Sequence, residues 1–530
     1  MRQPTIDIDS LTQTAEKRWP QQVQVIPNEG IPGCLAITVR VDLLKDVCRW
    51  IFHELGYSFA ALIAEESPGE RLLRYVFYAH GSRQIHLVVR LNGRGPDLPT
   101  VSDIIHAADW QERETEDLFG LSFTGHPRLG DFVLHEDWPE GVNPMRPEFD
   151  AGHPYKRREP DPDWYPRSIV QAPGSFMMPI GPVYSDAAES AHFLLETVGE
   201  DVLRTIPRFF YKYRGVEKIA EGQLAERVVL LAERFSGTSA FAHSLAFCQA
   251  VEAIAGCDVP PRAKALRILL AEAERLRHHI GAIAGICNAT ALAVAASQAG
   301  ILEEEALRQT GELTGHRYLF GLNAPGGLCR DLPDASCHRL MEGVDQLQQG
   351  LKRLEEMLRF TSSFLDRLEE VGVIGHAQAE AYGLVGPIAR ASGVSRDLRK
   401  TLPYGGYESL DFSIPVESDG DGYARLRVLF REAEQSASII RMIVSPLPGG
   451  PILAPCPIRE GEGIGWTEAP RGAAFHWVRV NAAGSVVRYR VVTPSFVNWH
   501  GFHLAAEDYA FQDFPIIMAS FGLSIAESDR

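Results

Sequence analysis

The chain of 530 residues has eight cysteines, and none of them forms a C-x-x-C pair. Iron–sulfur and zinc sites usually draw thiolates from short-spaced sets, and a disulfide framework needs a small, cysteine-dense secreted chain. The pattern therefore indicates a reducing compartment and no thiolate-bound metal. The scattered positions are Cys34, Cys48, Cys248, Cys257, Cys287, Cys329, Cys337 and Cys456.

Positive charge is scarce as well, since 52 lysines and arginines face 69 acidic residues, for a net charge of −17. Nucleic-acid binding needs a basic face, so nucleic acid is not expected as a partner. Neither G-x-x-x-x-G-K-[ST] nor a G-x-G-x-x-G after a strand is present, and H-E-x-x-H and D-x-D-x-D-G are missing too. We therefore expect any flavin or nicotinamide to reside on partner subunits.

Long apolar runs are also rare. The opening MRQPTIDIDS lacks the apolar stretch of a signal peptide. One uncharged run, residues 282–301, is long enough to span a bilayer, but it consists largely of Ala, Gly, Asn, Thr, Ser and Gln. We expect it to be a buried helix of a large bundle.

Residues 1–150 have the pattern of an α+β module. The segments 34–41 and 71–91 alternate like strands, with a turn at residues 79–82 in the second. LLKDVCRWIFHELG indicates a helix that ends at Gly56. Residues 151–170, rich in proline and charge, are predicted to be a linker.

Residues 171–530 are predicted to form a large, mainly α-helical domain with small β elements. Residues 343–371 have the pattern of one long amphipathic helix, and residues 476–496 indicate a β-hairpin. A further helix carries apolar residues at helical spacing on one face. These are Leu266, Leu269, Leu270, Ala273, Leu276 and Ile280.

An unusual run of acids lies in HAADWQERETEDLFGLSFTGHPRL. A helix there places Glu112 over Glu116 and Arg113 over Asp117. Such a cluster could hold protons or cations, but acidic runs are more often solvated or docking faces of helices, and we expect that here. ERETEDLFGLSFTGHPRL strongly resembles the signature of the 30-kDa subunit of respiratory complex I, which group 4 hydrogenases fuse to their large subunit. The resemblance implies a structural module.

A second resemblance covers roughly residues 170–530. Eight motifs in order look like the large subunit shared by group 4 [NiFe] hydrogenases, of the formate hydrogenlyase type, and the 49-kDa subunit of complex I. They are MPIGPVYSDAAESAHF, YKYRGVEKIAE, ERFSGTSAFAHSLAFCQAVE, AEAERLRHHIGAIAGICN, GHRYLFGLNAPGG, GPIARASGVSRDLR, EAPRG and TPSFVNWHGF.

The positions of the four hydrogenase metal ligands lack sulfur in this chain. The family motif R-x-C-G-x-C aligns with RFSGTS, so the first pair falls on Ser236 and Ser239. The second pair falls on Ser524 and Glu527. Thiolates are soft donors that bridge nickel and iron, and hydroxyls do not replace them. We expect no metal site and no hydrogenase activity.

The resemblance to complex I implies a quinone headgroup in the vacated cavity, but this chain departs from that pattern. Complex I has a headgroup-binding tyrosine where Gly237 stands here. After G-P it has a histidine-containing strand turn, where this chain has Tyr184. The ending AESDR resembles the G-E-x-D-R of complex I and favours the metal-free branch. Quinone is a candidate ligand, and this chain is expected to bind no cofactor itself.

Four polar residues are candidates for cavity or proton-relay roles. Arg471 of EAPRG matches an arginine that lines the cavity in the relatives, and a carboxylate partner, Glu527 or Asp529, is expected. His243 could relay protons, although a lone helix histidine is more often structural. Glu217 is the fourth candidate, because the resemblance to this family implies that its region takes part in proton movement.

Glu274 with Arg275 is a further candidate pair. For these two residues, and for Glu217, the alternative is a charged pair on a helix surface.

Three functions follow. The first is a subunit of a membrane-associated complex I-like oxidoreductase that couples electron transfer to ion translocation. Its partners would be an iron–sulfur small subunit and antiporter-like membrane subunits, at the cytoplasmic face of a prokaryotic plasma membrane. The second is a structural pseudo-hydrogenase subunit without redox chemistry. The third is an enzyme that uses the emptied cavity for another small molecule. The first is our prediction.

Overall fold

The computed structural model describes residues 8–28, 30–31, 33–67, 70–79, 81, 84–92, 98–159, 168–171, 173–183 and 189–530. Its first part is an α+β module. The helices and strands are α1 Ile8–Arg18, β1 Val23–Pro27, β2 Cys34–Val39, α2 Leu44–Arg49, β3 Ser58–Ser67, β4 Glu70–Tyr78, β5 Gln84–Asn92, β6 Leu98–Pro99, α3 Asp109–Phe119 and β7 Phe123–Thr124.

Five of these strands form one sheet in the order β1-β2-β5-β4-β3, in which only β2 and β5 run parallel. The predicted hairpin is confirmed as β4 and β5, although two of its turn residues, His80 and Ser82, lie outside the described residues. The predicted helix is also confirmed, and it ends in a π-helical turn at Trp50–Glu54. The sequence did not reveal β3, which pairs with β4 along its whole length.

The acidic helix α3 is not a solvated face, so that expectation is wrong. Glu112 is fully buried and accepts a hydrogen bond from the Val101 amide at 2.8 Å. Asp117 accepts three backbone N–H groups, from Phe132, Val133 and Leu134. Buried irregular backbone must find acceptors, and these carboxylates supply them. Arg113 packs over the Phe132 ring, 4.2 Å from its centroid.

The second part is the expected helical domain with small sheets. Its first half contains β8 Ser175–Ile180, β9 His192–Val198, β10 Asp201–Arg208, α4 Val216–Ala220, α5 Ala225–Arg234, α6 Ala240–Ala255, α7 Pro261–Ala289, α8 Ala293–Thr314, β11 Asn323–Ala324, β12 Gly327–Leu328, α9 Asp334–Arg359 and α10 Ser362–Leu365. Its second half contains α11 His376–Ala381, α12 Gly386–Ala391, α13 Leu398–Thr401, α14 Gly422–Val444, β13 Gly461–Ala469, β14 Gly472–Val480, β15 Val486–Val492, α15 Pro494–His500, α16 Phe502–Ala505, β16 Tyr509–Ala510, α17 Phe514–Phe521 and α18 Ile525–Asp529.

The 29-residue helix α7 is the axis of this domain, with α6, α8, α14 and α17 packed around it. Its predicted apolar face is buried. The polar side chains Glu272, Arg275 and His279 of the same helix are buried as well. A helix covered on all sides must satisfy its charges internally, and the contacts that do so are described below.

Two helix predictions are wrong in their extent. Residues 282–301 are split between α7 and α8 by a turn in which Ala291 has φ +58°. Val294 and Ile301 are 66% and 60% exposed, so this stretch is not a buried helix. Residues 343–371 are divided between α9 and the short α10, where Thr-Ser-Ser favours caps over helix interior. No helix among the described residues has the length and apolarity needed to cross a bilayer.

The modules are joined by buried ion pairs. Arg74 of β4 contacts Glu462 of β13 at 3.0 Å, and Arg530 contacts Glu114 of α3 at 2.5 Å. The division at 1–150, 151–170 and 171–530 remains a prediction, and part of that linker, residues 160–167, lies outside the described residues.

The predicted hairpin is confirmed as β14 and β15, and β13 extends it to a three-stranded sheet. Only Pro470 and Arg471 connect β13 to β14, so Arg471 is presented on a tight turn. The first residue of α12, Gly386, has φ +68° and packs against this turn. A Cβ atom on Gly386 would lie 2.0 Å from the carbonyl oxygen of Arg471.

We predict that Gly386→Ala destabilises the chain by about 2–5 kcal/mol, the sum of a left-handed backbone penalty and overpacking against the turn. Gly405→Ala is the matched control, because Gly405 has φ +60° but no atom within 4 Å of the added Cβ. It should cost only about 1–2 kcal/mol. Urea unfolding of the full chain measures both, and equal losses would contradict the close approach.

Candidate functional site

The four positions that replace the metal ligands lie on two segments of the chain. Ser236 and Ser239 belong to the loop between α5 and α6, and Ser524 precedes α18, which carries Glu527. The Ser236 hydroxyl lies 3.4 Å from Glu527 Oε1. The Ser524 side chain caps α18 by accepting the Glu527 amide at 3.2 Å. Ser524 also donates to Glu189, at 3.1 Å.

Glu527 is fully buried and is the most connected of the four. Its Oε1 lies 2.9 Å from His243 Nε2, and Ser495 donates to Oε2. Burial alone would raise the pKa of this carboxyl. The hydrogen bond from His243 and the charge of Arg471 outweigh it and lower the pKa to about 2. Glu527 is therefore an ionised carboxylate.

His243 begins a buried chain of three side chains. Its Nδ1 lies 3.0 Å from His476 Nε2, and His476 Nδ1 lies 2.6 Å from the Tyr489 hydroxyl. Since ionised Glu527 only accepts, one arrangement satisfies all three side chains: Tyr489 donates to His476, His476 to His243, and His243 to Glu527. Burial lowers the pKa of His476 well below its usual range, in keeping with the neutral His476 ring that this arrangement uses.

The sequence motifs indicate His243 as a candidate, but they do not indicate His476 or Tyr489. Both lie on the hairpin of β14 and β15, within a run that the alternation predicts correctly. His476 could have been found from its position on the inward face of a predicted strand, because a buried polar ring needs a buried hydrogen-bond partner.

Arg471 contacts the loop rather than a carboxylate. Its Nε donates to the Gly522 carbonyl at 2.7 Å, and one terminal nitrogen donates to Thr238 Oγ1 at 2.7 Å and to Ser239 Oγ at 3.1 Å. The expected ion pair with Glu527 or Asp529 is not formed. The two-residue turn directs the guanidinium to the loop.

The two carboxylates have other partners. Glu527 is bonded to His243, and Asp529 accepts the backbone N–H groups of Phe210 and Lys212 at 2.8 and 3.1 Å.

A cavity of about 630 Å³ adjoins the loop. Gly237, Thr238 and Arg471 form one wall, and Arg277 and His278 of α7 form another. The remaining wall includes Glu189, Glu303, Trp499, Met518, Leu523 and Ser524. The predicted quinone position Gly237 therefore faces this cavity, whereas Tyr184 lies outside the described residues.

Glu217 does not line the cavity and lies in a buried ion-pair cluster. Its carboxylate contacts Arg488 at 2.9 Å and Arg490 at 3.2 Å, and accepts the Val491 amide at 3.1 Å. These arginines overcome the effect of burial and lower its pKa to about 2. The alternative of a helix-surface pair is wrong, since Glu217 is 2% exposed, and a proton-relay role stays a prediction.

Glu274 holds the helix that carries His243. Its carboxylate accepts the backbone N–H groups of Phe241 and Ala242, at 2.8 and 3.0 Å, in the first turn of α6. A carboxylate at a helix N-terminus satisfies otherwise free donors and favours the helix dipole. Burial raises its pKa to about 7 in spite of these bonds. Glu274 is buried, so the helix-surface alternative is wrong here too.

We predict that Glu527→Gln lowers the free energy of unfolding at pH 7 by about 3 kcal/mol. The folded-state pKa of about 2 lies below the ordinary 4.5, so this stabilisation is present above pH 4.5 and is lost as the pH falls towards 2. Urea unfolding should show that the difference in unfolding free energy between the variant and the unmodified chain disappears as the pH falls over that range. Glu305→Gln, at an exposed position on α8, is the control and should change little. An unchanged stability of Glu527→Gln at pH 7 would contradict the assignment.

Comparison with known proteins places these features in a family. The sequence matches the family model described as the 49-kDa subunit of respiratory-chain NADH dehydrogenase over residues 301–459 and 455–530. It matches the model of the 30-kDa subunit of that enzyme over residues 37–155, and the nickel-dependent hydrogenase model over residues 214–282.

Individual proteins agree with these matches. Formate hydrogenlyase subunit 5 of Escherichia coli is 29% identical over 97% of this chain and 94% of its own length. The C/D protein of the NADH-quinone oxidoreductase of Acinetobacter baumannii is 29% identical over 84% of this chain and 82% of its own length.

A solved structure adds to the evidence. A chain of the membrane-bound sulfane sulfur reductase, an archaeal respiratory membrane complex, is 28% identical with a TM-score of 0.64, covering 68% of this chain and 100% of that one. The fused modules, the order of the motifs and these matches lead to one assignment. The chain belongs to the superfamily that unites the 30-kDa and 49-kDa subunits of complex I with the large subunits of nickel-dependent hydrogenases.

Proposed function

We propose that this chain is the metal-free large subunit of a membrane-associated, complex I-like oxidoreductase that couples electron transfer to ion translocation. Its relatives are named as subunits of formate hydrogenlyase, NADH-quinone oxidoreductase and an archaeal respiratory membrane complex. In this proposal, partner subunits carry the iron–sulfur clusters and any flavin or NAD site. Antiporter-like membrane subunits hold the chain at the cytoplasmic face of the prokaryotic plasma membrane.

The observation that carries the proposal is the guanidinium of Arg471 among the former ligand positions. It lies 3.1 Å from the Ser239 hydroxyl, and Glu527 already accepts hydrogen bonds from His243 and Ser495. Hard oxygen donors beside a fixed cation do not fit a nickel–iron centre, which needs soft, bridging thiolates. This argues against hydrogen chemistry at the site.

The adjoining cavity supports binding of a small electron acceptor instead. Arg471 and Arg277 offer N–H donors, which suit a carbonyl oxygen that gains negative charge on reduction. Trp499, Met518 and Leu523 offer apolar surface for a ring. A quinone or a related carbonyl acceptor has this combination of polar oxygen and apolar ring. An open cavity favours this function over a purely structural subunit, for which a filled cavity would be expected.

We predict that a tagged chain, recovered from gently solubilised native membranes, co-purifies with iron–sulfur subunits and antiporter-like membrane subunits. Mass spectrometry identifies the partners, and elemental analysis should find iron but less than about one nickel per ten complexes, because the thiolate donors are missing. Antiporter-like subunits without a redox partner would overturn electron transfer and leave the structural role. Recovery of the chain alone would favour a separate small-molecule enzyme.

We also predict that Arg471→Ala weakens binding of a short-tailed ubiquinone analogue by at least about tenfold, since a charge-assisted hydrogen bond is lost. Arg471→Lys should be intermediate, because lysine keeps the charge but not the planar donors. Isothermal titration of the purified complex measures the Kd. Met518→Leu, a volume-conserving change in the same cavity, is the control. If Arg471→Ala binds the ubiquinone analogue with unchanged affinity, the acceptor does not bind in this cavity.

A further inference from the structure

A second polar network, separate from the one around Glu527, lies behind the cavity. Its core is the buried acid cluster, defined as Glu272, Asp397, Glu432 and Glu468. These residues come from α7, from the turn before α13, from α14 and from β13. Each is at most 3% exposed. The network therefore joins four elements of the helical domain.

Three arginines neutralise this cluster incompletely. Arg399 contacts Glu272 at 3.0 Å and Asp397 at 2.7 Å. Arg390 contacts Glu432 at 2.6 Å and Glu468 at 2.8 Å. Arg275 lies 3.5 Å from Glu272. Within the described part of the chain, four carboxyl groups thus share three arginines, so the cluster has one carboxylate in excess and favours holding one proton.

Glu468 is the best place for that proton. Burial and the neighbouring charge of Asp397 raise its pKa, although Arg390 and Arg275 oppose this. By contrast, the pKa of Asp397 and that of Glu432 are lowered, because their arginine contacts overcome burial. Two tyrosines are further titratable neighbours of Glu468: the Tyr404 hydroxyl accepts the Glu468 backbone amide at 3.0 Å, and buried Tyr78 is close enough for the charge of Glu468 to act on it.

A histidine pair connects the cluster to the cavity. His279 Nε2 lies 2.9 Å from Glu432, and its Nδ1 lies 3.4 Å from Nδ1 of His278. His278 lines the cavity together with Arg277 and Arg471, and the charge of Arg275 also acts on His278 from outside the cavity lining. Its Nε2 makes no hydrogen bond to a described residue, so this nitrogen is the free end of the pair.

The opposite side of the cluster approaches the surface. Tyr407 donates to Glu272 at 2.6 Å, and Ser436 donates to the other oxygen of the same carboxylate, also at 2.6 Å. Tyr407 and Tyr404 line a second cavity of about 400 Å³, together with Lys264 and Glu252. Hydroxyl groups therefore stand between this outer cavity and the buried carboxylates.

We propose that the buried acid cluster is a proton-storage site for the inner cavity, and that His278 and His279 carry the proton between them. Ionised Glu432 accepts a hydrogen bond from the Nε2 proton of His279, so His279 Nδ1 is available as an acceptor. In uptake, His278 Nε2 takes a proton from the cavity, His278 passes its Nδ1 proton to His279 Nδ1, and His279 passes its Nε2 proton to Glu432 and so to the cluster. Delivery to the cavity is the reverse of these steps. One N–H bond forms and one breaks on each ring, and one proton moves with no change in oxidation state.

This inference rests on the proposed function only in naming the reduced acceptor as the group that takes the proton. Proton movement itself is testable without any acceptor. The test uses infrared spectroscopy of the full chain after rapid transfer into D₂O, and it follows the Glu468 band, which subtracting the spectrum of Glu468→Gln separates from the bands of other buried carboxyl groups such as Glu112 and Glu274. Glu468→Gln should remove that band and so identify it.

The decisive variant is His278→Ala, which should slow deuterium exchange of this band at least about tenfold. Added imidazole should restore the rate, because it can occupy the enlarged cavity and replace the missing base. Ile525→Ala, which enlarges the same cavity without removing a base, should exchange at the normal rate, and added imidazole should not change that rate. His278→Gln keeps the side-chain bulk but cannot transfer a proton, so it should exchange slowly.

Two results would overturn the proposal: normal exchange in both His278 variants, or a carboxylic acid region of the spectrum that is unchanged in Glu468→Gln. Failure of the acceptor to bind, with exchange still dependent on His278, would reject the proposed function and leave the proton route intact.

Discussion

One buried carboxylate, that of Glu527, holds together the parts of the chain that meet at the cavity. It accepts hydrogen bonds from His243 on α6, Ser495 on α15 and Ser236 in the loop after α5. An ionised group without these partners would be strongly unfavourable in the interior. Each of these elements is therefore constrained in position by the same charge, and so is the loop that carries Ser236 and Ser239.

The family and the order of the elements could be predicted from the sequence, since motifs, alternation and helical spacing are local properties. The apolar face of α7 and the hairpin of β14 and β15 were correct for this reason. The segments that cover a polar face, by contrast, can be distant from it in the sequence. The carboxylates of α3 and the Glu217 side chain are buried because distant segments bring backbone N–H groups and arginines to them.

The candidate site shows the same division. The motifs align Ser236 and Glu527 with ligand positions of one site, and the Ser236 hydroxyl lies 3.4 Å from the Glu527 carboxylate. The contacts of Arg471 could not be predicted, since they depend on a two-residue turn and its approach to Gly386. His476 was missed because its partner, His243, lies 233 positions away along the chain.

Arginine has two different uses in this interior. Around Glu217 and Glu114, arginines join the two modules, and they lower the pKa of Glu217. Around the buried acid cluster, the arginines fall one short of the carboxyls. Buried ion pairs contribute little net stability in comparison with apolar packing, so specificity of the packing arrangement is the more natural reason for the first group. Too few arginines around the buried acid cluster have a different consequence, because one carboxyl group in the interior can still take up and release a proton.

The turn of Pro470 and Arg471 constrains how this protein can diverge. Glu468 on β13 and Arg471 on the turn are three positions apart, yet they face different networks. In a two-residue hairpin, one inserted residue changes the twist and register of both strands. Such an insertion would at the same time move the Arg471 guanidinium away from the loop and the Glu468 carboxylate away from its arginines. We therefore expect homologous chains of this type to vary in residue identity around the hairpin far more readily than in its length.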